Sequence, residues 1–400
     1  MSPKISKDTI IFIVIYLVAF TIMQWYSLTH PLVNDRVYEY RDYLANIASG
    51  GWEYRNSSTN SSIIPIFIPY LIQRWTGWDV LLTFRVFPPF LYALMPAFVY
   101  LIARRFLDIK YAIMPVLVVI SSSYISYFPD VGRVGIALGF LAGMVWSLLE
   151  RKLLWAVVFA VAVVFSHYGT AVIAIGLSCV VLGVSIIWQG LRNTKWTRFI
   201  IYSSVVFLVL VISTGVWHFG IAKYSGDTMV STILQPEEAR AIMGEDWGKM
   251  QPLHLEDTDI VAQKAFGLTL GVEPIPGKIE IATNWLLVAF ITLGLYLMLR
   301  KKAIDTPFKI MTTALYGLII MTIAIPQFSI YYGTIRVYFT ALILLAVCFP
   351  FGIKWVADKT HLSPLLLAST ILVLYVLSTS GIIYLPFGLT KILPVAVSLP

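Results

Sequence analysis

"DTIIFIVIYLVAFTIMQWYSLTHPLVNDRVYEYRDYLANIASGGWEY" (Asp8–Tyr54) holds the two patterns from which the rest of the chain is read. Its first part, residues 8–28, is an apolar run long enough to cross a bilayer as a helix. No small-residue cleavage site follows it, so it reads as a retained helix and not as a signal peptide. Five charges come next, between Asp35 and Asp42: Asp35, Arg36, Glu39, Arg41 and Asp42. Only 12% of the 400 residues are charged, so a cluster directly outside the first apolar run calls for a reason.

Read as a helix, this second part has two stripes. Asp35, Glu39, Asp42 and Asn46 fall on one; Val37, Tyr40, Leu44, Ile47 and Ala48 fall on another. Such a helix can lie in the membrane interface with its apolar stripe buried. Gly50-Gly51 supplies the stop. The spacing also allows the plainer reading of a solvated acidic face.

Apolar runs of this kind recur. The chain is 58% hydrophobic with a mean hydropathy of +0.81, beyond what a water-soluble core absorbs. Period-two alternation is absent, which argues against an outer-membrane barrel. Spans are expected near 8–28, 80–103, 111–128, 132–149, 153–167, 170–189, 199–220, 282–299, 309–328, 335–353 and 364–386. Residues 63–74, broken up by Pro65 and Pro69, read as a short re-entrant or interfacial helix. The expected fold is an all-α polytopic membrane protein of about eleven transmembrane helices, with an interfacial helix in the first external loop and a small external cap.

Alternate loops are basic: "ARRFLDIK", "ERK", "RNTKWTR", "RKKAIDTPFK" and "IKWVADKTH". By the positive-inside rule these and the N-terminus face the cytoplasm. The net charge of +8 thus reports topology, and no nucleic-acid partner is implied. Loop 221–281 opposes the trend with ten acidic and five basic residues and reads as the external cap. The chain divides into a transmembrane module 1–220 with external loop 29–79, the cap 221–281, and C-terminal helices 282–400. The two cysteines, Cys179 and Cys348, lie inside apolar runs and suggest neither a disulfide framework nor a thiolate metal site. No internal repeat is visible, which weighs against an inverted-repeat transporter.

Ionisable residues in or beside spans are costly and direct attention to function. Those hardest to explain as anchors gather on the external side. They are Asp35 and Glu39 after the first span, Arg85 in the second, and Asp130 and Arg133 around "PDVGR". His167 follows in "FSHYGTA", with Tyr168 beside it, and Arg336 in "YYGTIRVY". Each has a plain alternative: Asp130 as a helix cap or partner of Arg133, His167 bonded to backbone, Arg336 snorkelling to the interface. "NSSTNSS" adds two sequons, at Asn56 and Asn60, to be read either as glycan acceptors or as a polar loop.

An acidic residue after span one leading an interfacial helix, the stretch "SIIPIFIPYLIQRWTGWDVLLTFRVFPPFLYALMPAFVYLIARRF" (Ser62–Phe106), and an acid-bearing turn between spans three and four together form a pattern. It resembles the GT-C superfamily of membrane glycosyltransferases over roughly residues 8–190. The nearest likeness is to the dolichyl-phosphate-mannose-protein mannosyltransferase-like branch and related archaeal membrane proteins. The resemblance implies transfer of a sugar, with inversion, from a polyprenyl-phosphate-linked donor to a protein, lipid or glycan acceptor. The site would be extracytoplasmic, in a plasma or ER-like membrane. It also implies that Asp35 and Asp130 are the catalytic acids. The family's first loop often carries a tight acidic pair, whereas Asp35 here stands between Asn34 and Arg36.

From the residues themselves, Arg336 and Arg133, with Arg85 behind them, suit the donor phosphate because a guanidinium fork holds two phosphate oxygens. Glu39, His167 and Tyr168 suit positioning of the acceptor. Asp130 with His167 could bind a divalent cation such as magnesium or manganese, although two ligands do not define a metal site. The competing expectations are a transporter or flippase for a lipid-linked or anionic solute, and a non-catalytic scaffold subunit of the same fold.

Overall fold

The computed structural model describes residues 6–32, 35–54, 57, 59–124, 132–192, 198–223, 225–227, 274–324 and 334–379. Among them every regular element is helical. Seven helices are long and apolar enough to cross a membrane, and the chain is accordingly an integral membrane protein. They are α1 (Lys7–Thr29), α4 (Val80–Arg104), α6 (Gly132–Leu149), α8 (Tyr168–Gly190), α9 (Arg198–Ile221), α10 (Ile275–Arg300) and α12 (Arg336–Thr360). Three apolar helices are shorter: α5 (Ile109–Ser122), α7 (Leu153–Ser166) and α13 (Pro364–Thr379). Two more, α2 (Asp35–Ser49) and α3 (Ile68–Thr76), lie between α1 and α4, and α11 (Thr306–Ala324) follows α10. Each of the eleven positions read from sequence thus carries a helix.

Burial sorts these helices into a centre and a rim. The apolar window of α6 is 89% buried, that of α12 83% and that of α4 67%, against 17% for α1. Leu154, Ile187, Ile212 and Leu366 on the outer helices are each at least 60% exposed. Apolar surface so widespread requires a lipid solvent. At the centre helices approach backbone to backbone. A Cβ on Gly294 of α10 would run into the carbonyl oxygen of Cys348, and one on Gly352 of α12 into that of Phe290. Small residues at such crossings replace the hydrophobic drive that is weak between helices in lipid.

Polar contacts divide the helix ends into two sets. At one end Arg104 binds Asp8 at 2.8 Å, while Arg105 reaches Glu150 at 2.8 Å and, through Nε, Asp305 at 2.9 Å. The ends of α1, α4, α6 and α10 that carry basic loops are tied together there. At the other end Ser27 donates to the Arg85 carbonyl at 2.9 Å, and Arg85 donates to that of Leu28 at 3.0 Å.

Local boundaries differ from the sequence reading in two places. Residues 63–76 are continuous, because the π-helical turn Ile63–Phe67 runs into α3 and Pro69 sits in the first turn, where its missing N–H removes no bond. The tenth helix starts at Ile275, not near 282, since Pro276 likewise fits a first turn. Helix α2 ends at Ser49, with Gly50 at φ +69°, as the sequence predicts. Arg36, Glu39, Asp42 and Asn46 face inward, and Val37 and Leu44 are exposed. Most of the expected cap, residues 228–273, lies outside the described residues.

Candidate functional site

The inward face of α2 carries a buried ion cluster. Glu39 is 0% exposed and Arg36 1%, so neither charge is tolerable without partners. Arg36 Nη1 donates to Glu39 Oε2 at 2.8 Å, and Nη2 donates to the carbonyl of Phe84 at 2.9 Å. Its guanidinium also stacks 3.9 Å above the Phe84 ring. The other carboxylate oxygen, Oε1, accepts the backbone N–H of Arg133 at 3.0 Å and lies 3.3 Å from Arg133 Nε. Glu39 therefore sits at the N-terminus of α6, where the helix dipole favours an anion. Gly132 makes this approach feasible. A side chain there would collide with the Glu39 carboxylate and with Arg36 Nη1, 2.6 Å from the Cβ position.

One turn back, Asp35 takes a second arginine. Arg336 Nη2 donates to Asp35 Oδ2 at 2.8 Å, with both side chains part-buried. His167 is buried where α7 ends and α8 begins. His167 Nδ1 accepts the backbone N–H of Thr170 at 3.1 Å, so the imidazole caps α8 and its proton resides on Nε2. Tyr168 lies against it, ring centroids 5.1 Å apart, and Tyr168 also meets His218 edge-on at 6.2 Å.

A neutral polar scaffold holds the far end of α2. Asn46 Nδ2 donates to Asn60 Oδ1 at 2.7 Å, and Asn60 returns a bond at 3.2 Å. Asn60 Nδ2 also donates to the Glu53 carbonyl at 2.8 Å, and the Ser57 hydroxyl donates to Asp42. Trp52 and Trp217 stack and donate to the carbonyls of Asn60 and Ser61, both at 2.9 Å. At 3% exposure Asn60 is a structural amide, which overturns its reading as a glycan acceptor. Asn56 lies outside the described residues.

The residues named from sequence separate accordingly. Asp35 with Arg336, and Glu39 with Arg133, form pairs, while His167 is bonded to Thr170 instead. Arg85 is engaged instead with the end of α1, and Asp130 lies outside the described residues. Among the described residues no three His, Cys, Asp or Glu side chains gather as a metal centre requires. Two members went unnamed by sequence. Arg36 stands three residues before Glu39, a spacing that would have paired them on one face. His218 is an ionisable group inside α9 and is itself a signal in a membrane helix. It donates from Nε2 to the Val164 carbonyl at 3.1 Å and meets Ser225 Oγ at 2.7 Å.

Compared with family models and with curated proteins, the chain matches none.

Proposed function

We propose that the protein is a membrane glycosyltransferase of the GT-C type. In this reading it moves a sugar from a polyprenyl-phosphate donor to an acceptor hydroxyl at the extracytoplasmic face, with inversion. The reading includes eleven membrane crossings, a cytoplasmic N-terminus, α2 at the outer interface and residues 221–281 above it. Its main support is one observation: the carboxylates Asp35 and Glu39, one turn apart on α2, each hold an arginine from another helix, Arg336 and Arg133. All of this lies at the end of the helices away from the basic loops.

The chemistry would run as an exchange of partners. The donor phosphate takes the Arg336 N–H groups from Asp35, because a phosphate offers more charge and a bidentate geometry. Asp35 is then free to receive a proton. The acceptor oxygen forms a bond to the anomeric carbon as the bond from that carbon to the phosphate oxygen breaks. The electron pair leaves on the polyprenyl phosphate, stabilised by Arg336 and Arg133, and the acceptor's proton passes to Asp35. Glu39 holds Arg133 in place without touching substrate. His167, with Nδ1 taken by the Thr170 N–H and its proton on Nε2, has no lone pair for a divalent cation, so the reaction is written without one.

The non-catalytic alternative has an observation of its own. Both carboxylates are already joined to arginines, an arrangement that also suits a purely structural joint. Sugar transfer separates the two. Membranes holding the full chain are given a radiolabelled polyprenyl-phosphate sugar and assayed for labelled product. Asp35→Asn should lower turnover by about 10²–10⁴ with donor binding retained. Arg336→Ala should weaken donor binding, with partial rescue by Lys. No transfer by the wild-type chain with any polyprenyl-phosphate sugar would leave the structural joint as the better reading.

A further inference from the structure

A polar recess lies at the opposite end of the helices from the candidate site. It has a volume of about 300 Å³ and is bounded by the turn between α4 and α5, the end of α10 and the last turns of α12. Four cations line it: Arg104, Arg105, Lys301 and Lys354. Among its described lining residues Asp108 is the one carboxylate.

The four cations are not equivalent. Arg104 is held by Asp8 and by the Leu107 carbonyl at 2.6 Å, and Arg105 by Glu150 and Asp305. These ties fix the two guanidinium groups as walls. Lys301 and Lys354 have no ion-pair partner among the described residues. Their ammonium groups stand over aromatic rings that form the floor, Lys301 4.9 Å from the Phe351 centroid and Lys354 5.7 Å from that of Tyr111. Cations resting on rings keep their N–H groups for a further acceptor. The surroundings reinforce them. The described residues 7–8, 104–110, 150–152, 300–309 and 354–359 together carry twelve Lys and Arg against five Asp and Glu. The exposed carbonyls at the ends of α4 and α10 are already taken: those of Ile102 and Ala103 accept the backbone N–H groups of residues 105–107, and Lys309 Nζ takes those of Leu299 and Lys301 at 2.9 and 2.7 Å.

We propose that this recess binds a phosphate group, held by Lys301 and Lys354 over Phe351 and Tyr111. Topological anchoring alone requires Lys and Arg at helix ends. It does not require a cavity between three helices with two unpaired ammonium groups over its floor. Basic recesses between transmembrane helices are suited to anionic lipid headgroups, and a soluble phosphate offers the same chemistry.

Native mass spectrometry of the full-length protein from micelles doped with phosphatidylglycerol or phosphatidylcholine tests the lipid source. Phosphatidylglycerol should be retained in preference. The K301Q/K354Q variant should lose that retention roughly tenfold or more, at about 1 kcal/mol per lysine, and K301R/K354R should keep it. In the other arm inorganic phosphate is titrated into protein in phosphatidylcholine alone and the melting temperature is followed. A rise that K301Q/K354Q abolishes assigns the site to soluble phosphate; retention of phosphatidylglycerol without such a rise assigns it to the lipid. Equal retention of the two lipids by the wild-type chain, with no response to phosphate, overturns the proposal without any variant. Preferential retention that K301Q/K354Q leaves unchanged overturns it too, since the phosphate would then bind elsewhere.

Discussion

Arg336 and Asp35 meet at 2.8 Å although 301 positions separate them in the chain. The bond joins the start of α2 to the start of α12, and so connects the segment between α1 and α4 to one of the most buried helices. Roughly a quarter of each side chain is exposed, 25% and 29%, and solvent screening therefore reduces the pair to the range of about 0.5–1 kcal/mol. A double-mutant cycle of Asp35→Asn and Arg336→Gln, read by thermal unfolding in detergent, should return a coupling of that size. Additive effects would mean that the two side chains adjoin without stabilising one another.

The Glu39 joint is buried and should behave differently. Removing Glu39 leaves Arg36 and Arg133 without their shared anion, and Glu39→Ala is expected to cost about 3–5 kcal/mol. Gly132→Ala should cost about 1–3 kcal/mol by forcing Glu39 and Arg36 apart. Gly183→Ala is the control, because nothing lies within 4 Å of its Cβ position. Equal melting temperatures for the two glycine variants would contradict the close packing of α2 on α6.

The stripes of α2 show what periodicity conveys and what it omits. Spacing grouped Asp35, Glu39, Asp42 and Asn46 on one side correctly, but it did not say which side faces the protein. Val37 and Leu44 are exposed, while the polar stripe turns inward to find partners. The helices were legible because apolar runs and glycine stops are local signals, as at Gly50. The partner of Asp35 was not legible, because no local pattern links it to an arginine in another helix. Pro65 and Pro69 misled for the opposite reason, since a proline reads as a break until it is known to lie in a first turn.

Asn60 gives a prediction about modification. Its amide exchanges bonds with Asn46 and is almost wholly buried, so no glycan has room to attach once the fold forms. Protein from a glycosylating host should show no mass at Asn60, and Ser62→Ala, which deletes that sequon, should leave the intact mass unchanged apart from the substitution. Asn60→Ala should destabilise by about 1–3 kcal/mol by leaving the Asn46 side chain short of a partner. A glycan found on Asn60 in folded protein would be incompatible with this packing.

The crossing of α10 and α12 rests on two glycines. Gly294→Ala drives a methyl group into the Cys348 carbonyl, and helix backbone yields less readily than a side-chain tip. About 1–3 kcal/mol of destabilisation is expected, and more for Gly294→Leu. Gly317→Ala in α11, where the Cβ position is open, should be neutral. If Gly294→Leu melts with the wild-type protein, the two helices do not cross at this distance.

Orientation is the prediction on which the compartment of the candidate site depends. Trp78, just before α4, is 53% exposed, and Lys302, just after α10, is also exposed. The ion pairs of Arg104 and Arg105 put the Lys302 end of the bundle with the basic loops, and the positive-inside rule assigns that end to the cytoplasm. Cys179 is exposed and would itself react, so the background is Cys179→Ser, with buried Cys348 retained. In intact cells a membrane-impermeant maleimide should label Trp78→Cys and spare Lys302→Cys until the membrane is opened. Sites within 56–60 and 240–260 should follow the first pattern, and sites within 192–198 and 300–306 the second. Labelling of Lys302→Cys from outside would invert the protein. Asp35, Arg336 and His167 would then face the cytoplasm, where an extracytoplasmic lipid-linked donor never presents its sugar.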